Sequence, residues 1–143
     1  PAELAATDPR SSRVAMALTC GATRAETGPL PAAGYDVVVE TAGAARSAAE
    51  AVELARRGGR VVLTGIPGTA TGIAPAAIVG GALTITSVFG APSAAWTHAV
   101  RLFATGLLDL GPLVSREVGL TDFAQAVVLL HDDDVGKVLI RPG

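Results

Sequence analysis

Short apolar runs alternate with amphipathic segments along most of the chain. The run Val37–Val39 consists of β-branched residues, which favours a strand buried on both faces. Over Ala44–Arg57, apolar residues recur at helical spacing opposite a charged side, and a second apolar run follows at Arg60–Thr64. Gly58-Gly59 between them predicts the end of the helix. Two strands joined by a crossover helix form a right-handed parallel unit.

The rest of the chain shows the same alternation of predicted strands and helices. Further strands are predicted at Glu3–Thr7, Thr23–Glu26, Leu83–Phe89, Leu113–Val118 and Lys137–Arg141. Further helices are predicted from Pro9 to Cys20 with Asp8 as N-cap, around Ala76–Val79, over Ser93–Thr105 with Trp96, Val100 and Phe103 facing inward, and from Asp122 to His131. This alternation predicts one α/β domain with a doubly wound, Rossmann-type parallel sheet.

Two glycine turns indicate where a ligand would bind. Glu40-Thr41-Ala42-Gly43 closes the first central strand, and Gly65-Ile66-Pro67-Gly68 follows the second. Glycine lets backbone approach a ligand closely. Ligands of parallel sheets bind at the carboxyl ends of the strands, so the site is expected at this edge. The phosphate-binding pattern G-x-G-x-x-G is absent from the sequence.

Composition and charge exclude several classes of function. The 143 residues are 50% hydrophobic and carry a formal net charge of −2, which predicts neither a nucleic-acid footprint nor an anionic membrane surface. No apolar stretch is long enough to span a membrane, and no signal peptide is expected. The single cysteine, Cys20, fits a cytoplasmic protein. Cys20, His98 and His131 are scattered, so no zinc site is predicted within this chain.

Five segments together resemble the nucleotide-binding domain of the medium-chain dehydrogenase/reductase family, the zinc-type alcohol dehydrogenases. The segments are ATDPRSSRVAMALTCGAT, DVVVETAG, GGRVVLTGIPG, LTITSVFG and LTDFAQAVVLLHDDDVGKVLIRP. They match the family's carboxyl-terminal half over nearly all 143 residues. The resemblance implies that residues 1–143 are a partial NAD(P)-binding Rossmann domain. The catalytic zinc domain and the first strand, glycine turn and helix of the nucleotide domain would then be missing.

The resemblance also implies a set of cofactor-binding residues and no catalytic or metal-binding residue. Asp8 would accept hydrogen bonds from the adenosine ribose, with Arg13 nearby. Backbone of the turns would pass the riboses and the nicotinamide, and Lys137 would reach the pyrophosphate. The turn residues are Thr41, Ala42, Gly43, Thr64, Gly65, Ile66, Ser87, Val88 and Phe89.

Each of these residues also has an explanation that needs no ligand. Asp8 suits a helix N-cap as well as it suits a ribose. Arg13 and Lys137 are as readily solvated side chains on a helix and on a strand. Gly43 fits a packing turn, and the two remaining triplets are expected to be adjacent to the ligand rather than catalytic.

The predicted function is the coenzyme-binding part of an NAD-dependent alcohol or polyol dehydrogenase, with zinc held by the absent domain and an alcohol or carbonyl compound as substrate. The nearest rival function is that of an NADPH-dependent, zinc-free quinone or enoyl reductase of the same superfamily. Asp8 opposes a 2′-phosphate, whereas Arg10 and Arg13 would attract one. A non-catalytic nucleotide-binding or assembly module is a third hypothesis. A methyltransferase is a fourth, although the GKVLIRP ending does not suit that class.

The segment Leu83–Phe89 is predicted to be an unprotected sheet edge. Its sequence, LTITSVF, contains no charge and no proline. Members of the family pair this strand with its copy in a second subunit across a two-fold axis, so the resemblance implies a homodimer or a tetramer built from two such dimers.

Overall fold

The computed structural model describes residues 3–69, 72–132 and 134–143. Seven strands lie at Ala5–Thr7 (β1), Arg24–Glu26 (β2), Tyr35–Glu40 (β3), Ala55–Leu63 (β4), Thr84–Ser87 (β5), Val114–Gly119 (β6) and Lys137–Arg141 (β7). Five α-helices lie at Ser11–Thr19 (α1), Ser47–Leu54 (α2), Pro75–Gly81 (α3), Ser93–Ala104 (α4) and Phe123–Leu129 (α5), with 3-10 turns at Gly111–Leu113 and Leu120–Asp122. None of the helices in these ranges is both long and apolar enough to cross a bilayer.

The chain forms two compact units, and every strand pair is parallel. The unit Leu30–Thr97 holds a sheet of order β3-β4-β5. The unit formed by Pro1–Pro29 and His98–Gly143 holds the pairs β1-β2 and β6-β7. Parallel strands connected through helices confirm the predicted α/β, Rossmann-type class.

The best-buried core lies in the unit Leu30–Thr97, between α2 and the sheet. Its buried members are Ala51, Val52, Ala55 and Val61, and partly buried Val38, Leu63, Ile73, Leu83 and Ile85 pack against them. Alanines on the inner side of α2 let its backbone approach the sheet closely, and valines on the strands fill the remaining space. This packing fixes the positions of β3, β4 and β5 relative to one another.

The expectation that Gly58-Gly59 ends a helix is wrong. Helix α2 ends at Leu54, and both glycines lie inside β4. There the pairing moves from Tyr35↔Ala55 to Val37↔Arg60, so β4 carries extra residues in a bulge. Gly58 has a φ of +74°, and a Cβ on Gly59 would lie 2.7 Å from the Arg56 carbonyl oxygen. The glycines are therefore required by the bulge.

The expected burial of the apolar runs is only partly observed. Val38 packs on the core, whereas Val37 and Val39 are 54% and 56% exposed, so β3 is buried on one face only. Alternating strand residues point to opposite faces, and the described residues of this unit cover one face. The inward stripe predicted for α4 is also wrong, because Trp96, Val100 and Phe103 are exposed.

The expected N-cap of the first helix is wrong as well. Helix α1 begins at Ser11, its N-cap position is occupied by Arg10, and no side chain caps it. The Asp8 carboxylate instead accepts the backbone N–H of Arg10 at 2.9 Å. Asp8 thus forms a local turn before the helix, since a short acidic side chain bonds readily to backbone two residues on.

Candidate functional site

Three strands of the unit Leu30–Thr97 end at the same level of the sheet. Glu40 of β3 pairs with Leu63 of β4, which in turn pairs with Ser87 of β5. The segments that follow therefore emerge side by side at one edge. The structure thus brings together nine predicted site residues: Thr41, Ala42, Gly43, Thr64, Gly65, Ile66, Ser87, Val88 and Phe89.

The first two of these segments, residues 41–43 and 64–66, are in direct backbone contact and are called the two glycine turns. A Cβ on Gly43 would lie 2.6 Å from the Ile66 carbonyl oxygen, and Gly43 has a φ of +60°. A Cβ on Gly65 would lie 2.2 Å from the Gly43 nitrogen. Real side chains do not approach backbone so closely, so both positions require glycine.

A crevice of about 220 Å³ opens beside the two glycine turns. Its lining consists of Glu40, Gly43, Ala44, Ser47, Ala48, Leu63, Gly65, Pro67 and Ile73. The third segment lies beside the second turn, where the Val88 N–H donates to the Leu63 carbonyl at 3.0 Å. Phe89 is 90% exposed, and Ile66 is also exposed. The edge therefore combines backbone polar groups with apolar surface, as small-molecule sites commonly do.

The buried residue Glu40 was not predicted as part of the site. It is 6% exposed, and its Oε1 accepts the N–H groups of Ala42 and Gly43, each at 2.8 Å. Burial alone would raise the pKa of the Glu40 carboxyl. Hydrogen bonds from the Ser47 side chain and from the amides of Gly43, Ala42 and Gly65 outweigh burial, and the net pKa is lowered. The sequence signal was an acidic residue placed between an apolar strand and a glycine turn.

Asp8 lies in the other unit, directly after β1. Both of its carboxylate oxygens are bound by the Arg10 guanidinium, with Oδ1 at 2.9 Å from Nε and Oδ2 at 3.1 Å from an Nη. The side chains of Arg10 and Asp8 are 43% and 30% exposed. The Arg10 side chain lowers the pKa of the Asp8 carboxyl, and the charge of Arg13 acts in the same direction. The carboxylate expected at a ribose is thus present, with a cation already beside it.

Arg13 and Lys137, in the same unit as Asp8, have different surroundings. The Arg13 guanidinium donates to the Val135 carbonyl and lies 3.9 Å from the Met16 sulfur, which ties α1 to the segment before β7. Arg13 also lines a pocket of about 150 Å³ together with Asp8. Lys137 begins β7 and is exposed, and it is not part of that pocket.

The described residues form a crevice beside backbone that only glycine allows, and they do not form a metal site. Only glycine fits where the two glycine turns meet. No group of three or more His, Cys, Asp and Glu side chains within residues 3–69, 72–132 and 134–143 is arranged to hold a metal. Among the residues that line the crevice, Glu40 has the one ionisable side chain, and its Oε1 accepts two backbone N–H groups.

The fold and the glycine-bearing strand ends define a Rossmann-like α/β domain. The zinc-binding dehydrogenase family matches residues 2–105, more than half of the chain, and the chain belongs to this family. The resemblance to the zinc-type medium-chain dehydrogenases that the sequence suggested is thereby confirmed.

Individual relatives agree with this assignment. The chain is 31% identical over 108 residues to L-threonine 3-dehydrogenase of Deinococcus deserti, covering 75% of this chain and 31% of that protein. A protein of Sinorhizobium meliloti 1021, described as a zinc-binding dehydrogenase and solved bound to NADP, is 27% identical with a TM-score of 0.86, over 96% of this chain and 44% of that one.

The solved L-idonate 5-dehydrogenase of Escherichia coli K-12 shares the fold, with a TM-score of 0.87 at 22% identity, over 97% of this chain and 42% of that one. The chain therefore spans less than half the length of each of these three relatives.

Proposed function

We propose that the chain is the coenzyme-binding part of an NAD-dependent, zinc-type alcohol or polyol dehydrogenase. The observation that carries the proposal is the alignment of three strand ends, two of which continue into glycine turns whose contacts exclude any side chain. Close backbone approach at the carboxyl ends of parallel strands is how doubly wound sheets bind dinucleotides. The family assignment and the dehydrogenase relatives support the same function.

In this proposal the chain positions the cofactor and other parts of the protein perform the chemistry. A bound nicotinamide cofactor would supply the hydride acceptor or donor for the alcohol or carbonyl carbon. The two glycine turns would hold the riboses and the nicotinamide, and Lys137 would neutralise the pyrophosphate. Zinc ligands, with the missing first strand and its glycine turn, would come from sequence outside this chain.

Cofactor choice depends on Asp8. We expect the carboxylate to bind the ribose diol and to repel a 2′-phosphate, which favours NAD. Arg10 weakens this preference because it already neutralises Asp8 and could turn to a phosphate. The relative solved with NADP shows that the family also includes proteins that bind this cofactor. An NADPH-dependent reductase therefore remains the second candidate.

The proposed assembly is a homodimer, or a pair of dimers, formed through β5. In the described part of the chain β5 pairs with β4 on one side and with no strand on the other. Thr84 and Thr86 on this edge are exposed and uncharged. Replacing Thr86 by Lys would place two charges opposite each other near the two-fold axis, so we expect the dimer to dissociate or the protein to precipitate. Analytical sedimentation measures the oligomeric state of the wild type and the variant. A compact wild-type monomer would refute the proposed assembly.

Activity and metal content test the function. We expect the full-length protein to contain zinc and to oxidise secondary alcohols or polyols with NAD. The 143-residue chain alone should do neither, because its described residues supply no metal site. Metal analysis and a turnover assay over a panel of alcohols measure both. Stoichiometric zinc in the chain alone would contradict the proposal, as would a full-length protein that binds no nicotinamide cofactor. We further propose a cytoplasmic location, which the single cysteine supports.

A further inference from the structure

Glu40 is a buried charge that cofactor binding by backbone alone does not require. It is the one buried charged residue in the described part of the chain. The ion pairs between described residues do not include it. A buried carboxylate is costly unless hydrogen bonds replace its hydration, so its partners must account for its presence.

The donors to Glu40 Oε1 belong to the first glycine turn, and the second glycine turn packs against Oε2. Oε1 accepts the N–H groups of Ala42 and Gly43 in the first turn. In the second turn, the Gly65 N–H donates to the Glu40 carbonyl oxygen at 3.1 Å, and a Cβ on Gly65 would lie 2.6 Å from the carboxylate Oε2. The Glu40 side chain therefore fills the space between the turns: its carboxylate holds the first turn by hydrogen bonds, and the backbone carbonyl of the same residue holds the second.

This arrangement changes which ligands the crevice can accept. Successive backbone N–H groups in a glycine turn form a concave site that suits an anion. Here the chain's own carboxylate occupies those donors, and no other ionisable side chain lines the crevice. A phosphate would meet occupied donors and a negative charge, whereas a hydroxyl group can donate to the free lone pairs of the carboxylate.

We infer that Glu40 is a positioning residue that fixes the two glycine turns and reserves the crevice for a neutral, hydroxyl-bearing part of the ligand instead of a phosphate. The inference rests on the proposed function, because the ligand is a nicotinamide dinucleotide and the neutral part is one of its sugars. Glu40 acts through the backbone of Ala42, Gly43 and Gly65, and it takes no part in the hydride transfer.

Amide resonances of the 143-residue chain test the charge selection without any dinucleotide. Adding inorganic phosphate should leave the amide signals of Ala42, Gly43 and Gly65 unmoved in the wild type and shift them in Glu40→Gln. On acidification the wild-type amides of Ala42 and Gly43 should move together, with a midpoint below the ordinary glutamate value of 4.5. Phosphate shifts in the wild type, or amides that do not titrate together, would overturn the inference. The phosphate titration and the acid titration of the wild type test the inference even if the variant does not fold.

Binding of NADH to the full-length protein tests the positioning. We expect Glu40→Gln to weaken NADH binding about tenfold, because hydrogen bonds to a charged group are lost, and Glu40→Asp to recover part of that loss. Glu53→Gln, on the exposed side of α2, is the matched control and should change nothing. Lower thermal stability with unchanged NADH affinity would show a merely structural role and refute the inference. If the wild type binds neither NADH nor NADPH, the proposed function fails. The amide measurements would still test the role inferred for Glu40, because they need no dinucleotide.

Discussion

The two candidate ligand-binding regions differ in whether backbone or side chains make their contacts. At the edge of the β3-β4-β5 sheet the contacts are made by backbone, with glycine required at residues 43 and 65 and a buried carboxylate beneath them. After β1 the contacts are made by partly exposed side chains, Asp8 and Arg10, which neutralise each other. Backbone geometry cannot be altered without moving the strands, whereas a surface charge can be exchanged by a single substitution.

This difference suggests that one region determines the affinity for a nicotinamide dinucleotide and the other determines the preference between NAD and NADP. The glycine turns should determine whether a dinucleotide binds at all, because every nicotinamide cofactor shares the riboses and the ring. Asp8 and Arg10 should determine which dinucleotide is preferred, because NAD and NADP differ only at the adenosine 2′ position. If the proposed roles hold, a substitution at the end of β1 should change the cofactor preference and leave the edge of the β3-β4-β5 sheet undisturbed.

The largest expected effect comes from Gly65→Ala. Its Cβ would lie 2.2 Å from the Gly43 nitrogen, so the two glycine turns would have to separate. A displacement of about 1 Å can cost about a hundredfold in function, and we expect at least that loss in NADH affinity. Gly68→Ala is the control, since a Cβ there meets nothing within 4 Å. Calorimetric titration measures both variants, and equal affinities would mean that the turns do not touch the cofactor.

The next effect in size concerns Asp8. We expect Asp8→Gly to weaken NAD binding about ten- to a hundredfold, because a hydrogen bond to a charged group is lost. Asp8 then no longer neutralises the charge of Arg10 or repels a 2′-phosphate, so the preference for NAD should narrow or invert. Dissociation constants for NADH and NADPH measure the change. Unchanged NADH affinity would leave Asp8 only its local bond to Arg10.

The smallest effect is on stability. The lowered pKa of Asp8 means that its pair with Arg10 stabilises the fold at pH values above the ordinary aspartate value of 3.8. This contribution disappears as the pH falls through the lower value in the folded protein. Such partly exposed pairs contribute at most about 1 kcal/mol to the free energy of unfolding. Arg10→Gln should therefore lose about that much in urea denaturation at neutral pH and nothing in strong acid. A loss that persists in acid would point to packing by the Arg10 side chain instead.

Most strands and the three site segments were predictable from the sequence. Strand β7 was expected at Lys137–Arg141 and is found there. The turns after β3 and β4 were predicted to share one edge, and the register Glu40↔Leu63 confirms it, while Leu63↔Ser87 brings the end of β5 to the same level. Parallel topology alone places successive strand ends together, so no long-range information was needed.

What the sequence did not reveal depends on tertiary contacts. Gly58-Gly59 has the same local pattern at a helix end and in a bulge, and only the pairing of β4 with β3 distinguishes them. Glu40 appeared to be the polar end of a strand, because its burial arises from the approach of the second glycine turn. Val37 and Trp96 were expected to be buried from their apolar character, yet both are exposed among the described residues.

A crystal structure of the full-length protein with NADH is the most direct test of the central claim. We expect the riboses and the nicotinamide to lie against residues 41–43, 64–66 and 87–89, with a sugar hydroxyl near the Glu40 carboxylate. We expect the adenosine ribose to bind Asp8. A dinucleotide bound elsewhere, or a phosphate group seated on the amides of Ala42 and Gly43, would contradict it.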